Sequence, residues 1–317
     1  MTTGQELPRD VFIEAIRQES AHNKEIYFMS ADLGAKALDR FRVEANAQFI
    51  HAGICEQNMI DVAAGLALNG KTVYVYAMAP FVTLRCYEQI KVAIASMDLP
   101  LTIIGVGVGY GYDDAGPTHY ATEDVSCMRA LGGIEIITPC DTESVLATAK
   151  LTYSQPALRY VRLDRVFLPP VYMPGETKFL SQGMVEVEQG RDVCIITAGY
   201  MIRKALEVKK KLVSLNIHAG VIDLYRLKPL NLEILKSIVM RYSRIVTLEE
   251  HFLSGGLGGA IAEGCFDADL RKPVLRLGIP DHYHFENGGR EYLHHLAGLD
   301  VATVTDRVAH FCQKSGE

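Results

Sequence analysis

A glutamate stands at a point of the chain where a carboxylate needs an explanation. The stretch FIHAGICEQNMIDVAAGLALNG, residues 49–70, places Glu56 between a short strand-like run and a long apolar helical segment. One interpretation is structural, because the helix dipole favours an acid in the first turn by about 0.3 to 1 kcal/mol. The other is chemical, because a carboxyl group half buried beside apolar surface can share a proton near neutral pH. The preceding residues AGIC offer no polar company, and both interpretations stay open.

A glycine-rich loop that ends in a histidine is the second candidate. Residues 105–120, GVGVGYGYDDAGPTHY, follow a strand with four glycines at alternate positions and reach His119. Glycines at this density let the backbone approach a ligand closely, and an imidazole can donate or accept a hydrogen bond near pH 7. A flexible surface loop with an exposed histidine is the structural alternative. A dinucleotide site is less favoured, because the loop does not run directly into a helix.

Two further features could bind anions. The segment SGGLGGA, residues 254–260, follows a strand and opens a helix, and it fits either close helix packing or a phosphate-binding turn. Cationic residues at strand ends or in loops could hold an anionic substrate, although each is compatible with a solvated surface position. These residues are Arg9, Lys36, Arg85, Arg159 and Arg162.

Alternating strands and helices would bring these residues to one edge of a sheet. From residue 9 to about residue 163 the predicted strands are EIYFMS, QFIHA, TVYVYA, LTIIGVGV, IEIITP and ALRYVRL. Their apolar residues are continuous rather than alternating, which indicates a parallel sheet covered by helices on both faces. Ligands of such sheets bind at the carboxyl ends of strands. We therefore expect chemistry in the loops after QFIHA, TVYVYA and LTIIGVGV.

The pattern is interrupted once and then restarts. Residues 166–182 contain three prolines without a sustained period and are interpreted as a linker. Beyond it, the predicted strands DVCIITAG, IHAGVIDL, RIVTLEE and PVLRLGI are separated by helices such as YMIRKALEVKKKLVSLN. The predicted fold is α/β with two doubly wound domains, a parallel-sheet domain over residues 1–165 and a smaller one over residues 183–317.

The composition favours small-molecule chemistry. Of 317 residues, 49% are hydrophobic and 22% charged, and 32 basic against 38 acidic residues give a net charge of −6 without long blocks of either sign. This argues against nucleic-acid or anionic-membrane binding, and no apolar run approaches the roughly 20 residues that span a bilayer. Seven scattered cysteines without a CxxC pair fit reduced thiols rather than disulfides or a zinc site. We expect a cytoplasmic protein.

Several motifs together resemble one enzyme family. SADLG (30–34), FIHAGICEQN (49–58), DAGPTH (114–119) and ALRYVRLDR (157–165) resemble the C-terminal half of a transketolase, and the similarity runs over essentially the whole chain. The resemblance implies a pyrimidine-binding domain followed by a transketolase C-terminal domain. It also implies thiamine diphosphate as the cofactor and transfer of a two-carbon ketol unit from a ketose donor to an aldehyde acceptor.

The resemblance also implies roles for individual residues. Glu56 would hydrogen-bond a ring nitrogen of the cofactor's aminopyrimidine and activate the cofactor without being a nucleophile. Phe81 would pack on the pyrimidine ring, and Asp32 would lie near the cofactor. His119 matches a histidine that hydrogen-bonds substrate oxygens. Two arginines match positions that bind a sugar phosphate, Arg9 and Arg162.

The substrate-binding positions depart from the family in three places. Ala115 stands where an aspartate is expected, Gly107 where a histidine is expected, and Lys36 where a serine is expected. Loss of one hydroxyl contact and two phosphate contacts, with gain of a lysine that could contact the substrate, changes what the pocket can recognise. The expected acceptor is a modified sugar, an unphosphorylated compound or a larger intermediate, and a 2-oxoacid is an alternative donor.

One half of the cofactor site is missing from this sequence. It contains no GDG motif and no set of oxygen ligands for a diphosphate with a divalent ion. The resemblance therefore implies a separate N-terminal transketolase subunit that holds the diphosphate and Mg²⁺ or Ca²⁺, in an α2β2 assembly, and no metal ligands in this chain.

Other functions remain open at this stage. A subunit with 1-deoxyxylulose-phosphate-synthase-like or 2-oxoacid-decarboxylating chemistry would share the fold and the glutamate. A non-catalytic partner subunit is a second alternative, and it would have no use for Glu56 or His119. A nicotinamide-dependent oxidoreductase, based on the glycine-rich loops alone, is a third.

Overall fold

The computed structural model describes residues 6–31, 34 and 36–313. The first domain alternates helices and strands, as the sequence predicts. In chain order its elements are α1 (Pro8–His22), β1 (Ile26–Ser30), α2 (Lys36–Glu44), β2 (Phe49–His51), α3 (Glu56–Leu68), β3 (Thr72–Met78), α4 (Ala79–Val82), α5 (Tyr87–Gln89), β4 (Thr102–Val106), α6 (Asp124–Ala130), β5 (Glu135–Ile137), α7 (Thr142–Ser154) and β6 (Arg159–Leu163). Helix α5 continues as a π turn and then a 3₁₀ turn, Ile90–Ile94 and Ala95–Met97.

Strands β1 to β6 form one parallel sheet in the order β2-β1-β3-β4-β6-β5. Strand β3, TVYVYAM, is rich in the β-branched and aromatic residues that favour strands. Its side chains alternate between two cores, with Val73 and Val75 in the layer that includes α3, and Tyr74 and Tyr76 in the layer under α1 and α7. The prediction of a parallel sheet buried on both faces is confirmed.

The second domain has a smaller sheet in the order β12-β11-β8-β9-β7. Its pairings are parallel except for β7, which runs antiparallel to β9 at its edge. The elements from the end of the first domain onward are α8 (Lys178–Gln182), β7 (Val185–Glu188), β8 (Val193–Thr197), α9 (Met201–Val213), β9 (Ala219–Asp223), β10 (Arg226–Lys228), α10 (Leu232–Val239), β11 (Arg244–Phe252), α11 (Leu257–Asp267), β12 (Val274–Ile279), α12 (Arg290–Leu296) and α13 (Val301–Gln313). Helix α8 lies inside the segment that the sequence interprets as a linker.

The two domains are joined by backbone pairing as well as by packing. Strand β10 leaves the second domain and pairs antiparallel with β5, with Arg226 opposite Ile137. One hydrophobic cluster contains side chains of both domains, among them Met128 of α6 and Leu257 of α11. The second domain therefore completes the first sheet.

The structure also bears on the expected reduced thiols and on membrane-spanning helices. All seven cysteines are free thiols, and four are buried, Cys86, Cys140, Cys194 and Cys265. Within the described ranges, none of the helices has the length and apolar character required to cross a membrane.

Candidate active site

Glu56 is the first residue of α3, directly after β2, and only 4% of its surface is exposed. Its Oε2 accepts a hydrogen bond of 2.8 Å from Nη1 of Arg85. The apolar residues before Glu56 gave no indication of this partner, which lies 29 residues later in the chain, in the turn between α4 and α5. The residues AGIC supply no polar contact to its carboxylate, and the partner of Glu56 comes from a distant part of the chain. The carboxylate is buried at the carboxyl edge of the sheet and paired with a cation.

Phe81 and His119 lie next to this pair. The guanidinium carbon of Arg85 is 4.2 Å from the centre of the Phe81 ring, a cation–π contact. The Phe81 ring is half buried and meets the His119 ring edge to face, with 5.2 Å between centres. Glu56, Arg85, Phe81 and His119 thus form one continuous set of contacts, which we call the Glu56 cluster. All four of these residues were candidates from the sequence, Arg85 as a possible contact for an anionic substrate.

The position of these residues follows from the strand order. Glu56 follows β2, Phe81 follows β3, and His119 ends the loop after β4. These strands lie close together in the order β2-β1-β3-β4, and parallel strands present their carboxyl ends at the same edge. The loops that the sequence indicated for chemistry therefore converge.

The glycine loop is shaped by close contacts that a side chain would prevent. Gly107 has a φ of +76°, and a Cβ built there would lie 2.1 Å from Cε2 of Tyr112. The Tyr112 ring thus fills the space beside the position where the family resemblance expects a histidine. Tyr112 also contacts the His119 ring, with 6.0 Å between centres, while Arg165 lies 4.4 Å from the centre of the Tyr112 ring. Nδ1 of His119 is 2.9 Å from the Thr118 hydroxyl.

Arg162 lies in a different environment, at the junction of the two domains. It donates to both carboxylate oxygens of Asp124 at 2.7 and 3.0 Å, a bidentate pair. Burial alone would raise the pKa of Asp124, but the charge and hydrogen bonds of Arg162, together with His251 and Tyr160, hold that pKa below its usual range. Together with His251, Arg162 lines a cavity of about 40 Å³. Its charge is matched inside the protein, and it does not contact the Glu56 cluster within the described residues.

The remaining predicted cations are dispersed. Arg9 lies in the first turn of α1 with its Nε 3.4 Å from Asp10, and Lys36 begins α2 with an exposed side chain. Arg159 is buried and donates to Glu135 at 2.5 Å, so it supports the sheet. Asp32 lies outside the described residues. In the part of the chain that the structure describes, neither Arg9 nor Lys36 contacts the Glu56 cluster.

The glycine-rich start of α11 binds an internal carboxylate. Glu249 accepts hydrogen bonds from the backbone N–H groups of Leu257 and Gly258, at 2.6 and 2.8 Å. A Cβ at Gly256 would lie 2.1 Å from the same carboxylate. Burial raises the pKa of Glu249 to about 7, against the lowering effect of these hydrogen bonds. Of the two interpretations of SGGLGGA, the structure supports close packing rather than a phosphate cradle.

The sequence did not point to a second charged network beside the glycine loop. Arg290, the first residue of α12, is buried and donates to Asp164 at the end of β6 and to Glu250 in β11. Its backbone N–H donates to Asp113 of the loop at 2.8 Å. The available signal was the presence of acids at the ends of two predicted strands, Asp164 after ALRYVRL and Glu249 and Glu250 in RIVTLEE, without an assigned partner.

The described residues do not assemble a metal centre. No group of three or more His, Cys, Asp or Glu side chains in residues 6–31, 34 and 36–313 is placed to hold a metal ion. The Glu56 cluster instead combines one buried carboxylate, one aromatic face and one imidazole. These groups can bind a planar nitrogen heterocycle and place a hydrogen-bond donor beside it.

Comparison with known proteins matches both halves of the chain. Residues 8–170 match the transketolase pyrimidine binding domain, and residues 181–304 match the transketolase C-terminal domain. The chain is 32% identical over 307 residues to one subunit of the apulose-4-phosphate transketolase of Phocaeicola vulgatus, covering 96% of this chain and 97% of that protein. It is 31% identical to the 1-deoxy-D-xylulose-5-phosphate synthase of Thermomicrobium roseum, but there it covers only 49% of the relative.

Solved transketolase structures are similar to nearly the whole chain. A protein described as a split gene transketolase, inactive beta4 tetramer, superimposes with a TM-score of 0.85 at 30% identity, over 97% of this chain and 98% of that chain. A transketolase from Pichia stipitis shares the fold with a TM-score of 0.79 at 20% identity, and this chain covers 46% of it. The chain therefore belongs to the transketolase family, in which it comprises a pyrimidine-binding domain followed by the C-terminal domain.

Proposed function

We propose that this chain is the C-terminal, or β, subunit of a split transketolase that transfers a two-carbon ketol unit from a ketose donor to an aldehyde acceptor. The observation that carries the proposal is the Glu56 cluster, because it places a buried carboxylate beside an aromatic face and an imidazole. Relatives of the same length include subunits of apulose-4-phosphate transketolase and, in Clostridium sp., of 6-deoxy-6-sulfo-D-fructose transketolase, which is 30% identical over 304 residues.

The residues present fit one half of the cofactor. Thiamine diphosphate, when bound, supplies a carbon nucleophile that adds to a carbonyl carbon. In this proposal Glu56 holds a proton at a nitrogen of the aminopyrimidine, and Phe81 packs on the face of that ring. His119 donates a hydrogen bond to an oxygen of the substrate. Asp32 is a further candidate neighbour of the cofactor.

A partner subunit completes the site in this proposal. It would hold the diphosphate and the divalent ion, Mg²⁺ or Ca²⁺, and the chain would be active only in an α2β2 complex in the cytoplasm. Native mass spectrometry of the purified complex measures the stoichiometry and the bound metal. A lone chain that turns over substrate would overturn this part of the proposal.

The substrate is expected to differ from the usual pentose phosphates. Ala115 replaces an acid, and the Tyr112 ring occupies the space beside Gly107. Arg162 is already paired with Asp124, so a phosphate would compete with a buried carboxylate for it. Arg9 and Lys36 remain candidate contacts for an anionic or polar end of the substrate. A modified or unphosphorylated sugar fits these features better than a standard pentose phosphate.

Replacement of Glu56 by glutamine tests the proposed function. The variant keeps the shape of the side chain but cannot exchange a proton, so turnover should fall by about 100-fold or more while the complex still assembles. Glu207→Gln, on the exposed face of α9, is the matched control and should leave turnover unchanged. Near-normal turnover in Glu56→Gln would contradict the proposal.

Synthase-like chemistry is the second candidate, because relatives with that activity match nearly the whole chain. A product assay distinguishes this reaction from ketol transfer by the donor that is consumed. Turnover of pyruvate with an aldehyde, and none of a ketose donor, would favour the synthase-like reaction. Turnover of neither, with an unchanged rate of the partner protein, would favour a non-catalytic role.

A further inference from the structure

Arg85 holds the two groups that the proposed site offers to a pyrimidine. Its Nη1 donates to the buried Glu56 carboxylate at 2.8 Å, and its guanidinium carbon lies 4.2 Å from the centre of the Phe81 ring. A guanidinium is planar, carries N–H donors at its edge and stacks on aromatic faces. An aminopyrimidine is also planar, with nitrogen groups at its edge that pair with a carboxylate. The same side chains therefore suit either partner.

We propose that Arg85 is a displaceable occupant of the pyrimidine site, which must release Glu56 and Phe81 before thiamine diphosphate binds. The inference rests on the proposed function, since it takes that cofactor as the ligand of the cluster. It makes Arg85 a residue that sets cofactor affinity rather than a catalytic residue.

The surroundings of Arg85 allow this exchange. Its side chain is 41% exposed, whereas Glu56 is buried. The guanidinium can therefore move into solvent without opening the core, while the carboxylate stays in place at the start of α3. Arg85 follows the short helix α4, where the backbone turns between α4 and α5. Movement of this side chain does not require a shift of the three strands that precede the cluster residues, β2, β3 and β4.

In this proposal Arg85 compensates the charge of Glu56 until the cofactor binds. A buried carboxylate without a partner is costly, because burial penalises its charge. Arg85 supplies that partner before the complex takes up its cofactor. A partly exposed ion pair is worth at most about 1 kcal/mol, so its loss on cofactor binding weakens the affinity only about fivefold. This is small enough for the cofactor to overcome.

Methionine at position 85 tests the proposal. Arg85→Met keeps a flexible stem beside Phe81 and removes the donors to Glu56. We expect the assembled complex with its partner subunit to bind thiamine diphosphate, in the presence of Mg²⁺, about fivefold more tightly than the unaltered complex. Isothermal titration calorimetry measures this constant without reference to activity. Arg203→Met removes a comparably exposed arginine, paired with Glu207 in α9, and should leave the affinity unchanged.

A second measurement does not depend on a variant. A structure of the complex with bound thiamine diphosphate should show Nη1 of Arg85 well beyond 4 Å from the Glu56 carboxylate. An ion pair that persists in that structure overturns the proposal, as does an unchanged or weaker affinity in Arg85→Met. In both of these results the cofactor still binds, so they would contradict the proposed displacement of Arg85 without contradicting the proposed function. Absence of cofactor binding in the unaltered complex would instead remove both.

Discussion

Replacement of Arg290 by methionine tests how the second domain supports the glycine loop. The Arg290 side chain donates to Asp164 at 3.0 Å and to both oxygens of Glu250 at 2.8 and 2.6 Å, and its backbone N–H donates to Asp113. Both paired carboxylates are buried. Methionine has similar length but neither charge nor donors, so the substitution leaves two acids inside the protein without their guanidinium.

The structure sets the size of the effect. Removal of one partner from a buried, hydrogen-bonded ion pair costs about 3 to 5 kcal/mol, because the other charge remains buried and uncompensated. Two carboxylates are affected here, and Glu250 keeps a contact with His294. We therefore expect Arg290→Met to lower the free energy of unfolding by about 3 to 5 kcal/mol near neutral pH.

The pH dependence gives a more specific signature. Burial alone would raise the pKa of Glu250, but Arg290 and then His294 lower it from 4.5 to about 2. A lowered carboxyl pKa contributes stability above pH 4.5 that is lost as the pH falls towards 2, and this difference corresponds to about 3 kcal/mol. Without Arg290 the ionised acids become a cost that grows as the pH rises. The deficit of the variant should therefore be larger at pH 8 than at pH 5.

Urea unfolding of the chain followed by circular dichroism measures these quantities, which suits a protein without tryptophan. Arg271→Met is the matched control, since Arg271 is exposed and pairs with the similarly exposed Asp269, and it should change stability by less than about 0.5 kcal/mol. An Arg290→Met deficit below about 1 kcal/mol, or one that is equal at pH 5 and pH 8, would refute the reasoning.

Three further changes probe other parts of the molecule. Burial raises the pKa of Asp223 from 3.8 to about 7, although the hydrogen bond from Tyr172 acts to lower it. The Asp223 carboxyl therefore reduces the stability of the fold progressively as the pH rises from about 4 to about 7. Asp223→Asn should remove this loss of stability. The free energy of unfolding of the variant in urea should exceed that of the unaltered chain by an amount that grows with pH towards about 4 kcal/mol. A difference that does not change with pH would contradict this prediction. Gly256→Ala should destabilise the chain by about 1 to 3 kcal/mol in the same assay, because the new Cβ would lie 2.1 Å from Glu249, and unchanged stability would show that the carboxylate lies elsewhere. His119→Asn should lower turnover of the complex about 100-fold with its content of thiamine diphosphate unchanged, and loss of the cofactor would instead assign His119 to cofactor binding.

The parallel sheet and the edge at which the Glu56 cluster lies were largely predictable from the sequence, but the order of the strands was not. Continuous apolar runs such as TVYVYA require burial on both faces, and this requirement produces a parallel sheet. Once the sheet is parallel, loops that follow neighbouring strands must meet at one edge. Glu56 and Phe81 meet there because each comes shortly after such a strand, and His119 because it ends the loop that follows β4.

The contacts between elements were not predictable in the same way. Strand β10 is only three residues long, Arg226–Lys228, and its pairing with β5 depends on how the domains dock rather than on its own pattern. The pairs Glu56–Arg85 and Arg162–Asp124 join residues 29 and 38 positions apart. Local sequence identifies such residues as charged, but it does not show which opposite charge each one will face.

The second domain takes part in shaping the Glu56 cluster, although it contributes none of the cluster's side chains. The φ of Gly109 is +59°, and a Cβ there would lie 2.0 Å from Glu250, so the loop runs directly against β11. Glu250 is in turn held by Arg290, whose backbone anchors Asp113 further along the same loop. The path of the chain from β4 to His119 is therefore fixed at two points by the second domain. Because this path places His119 beside Phe81, we expect a change in the packing of β11 or α12 to alter the geometry of the Glu56 cluster as well as the stability of the chain.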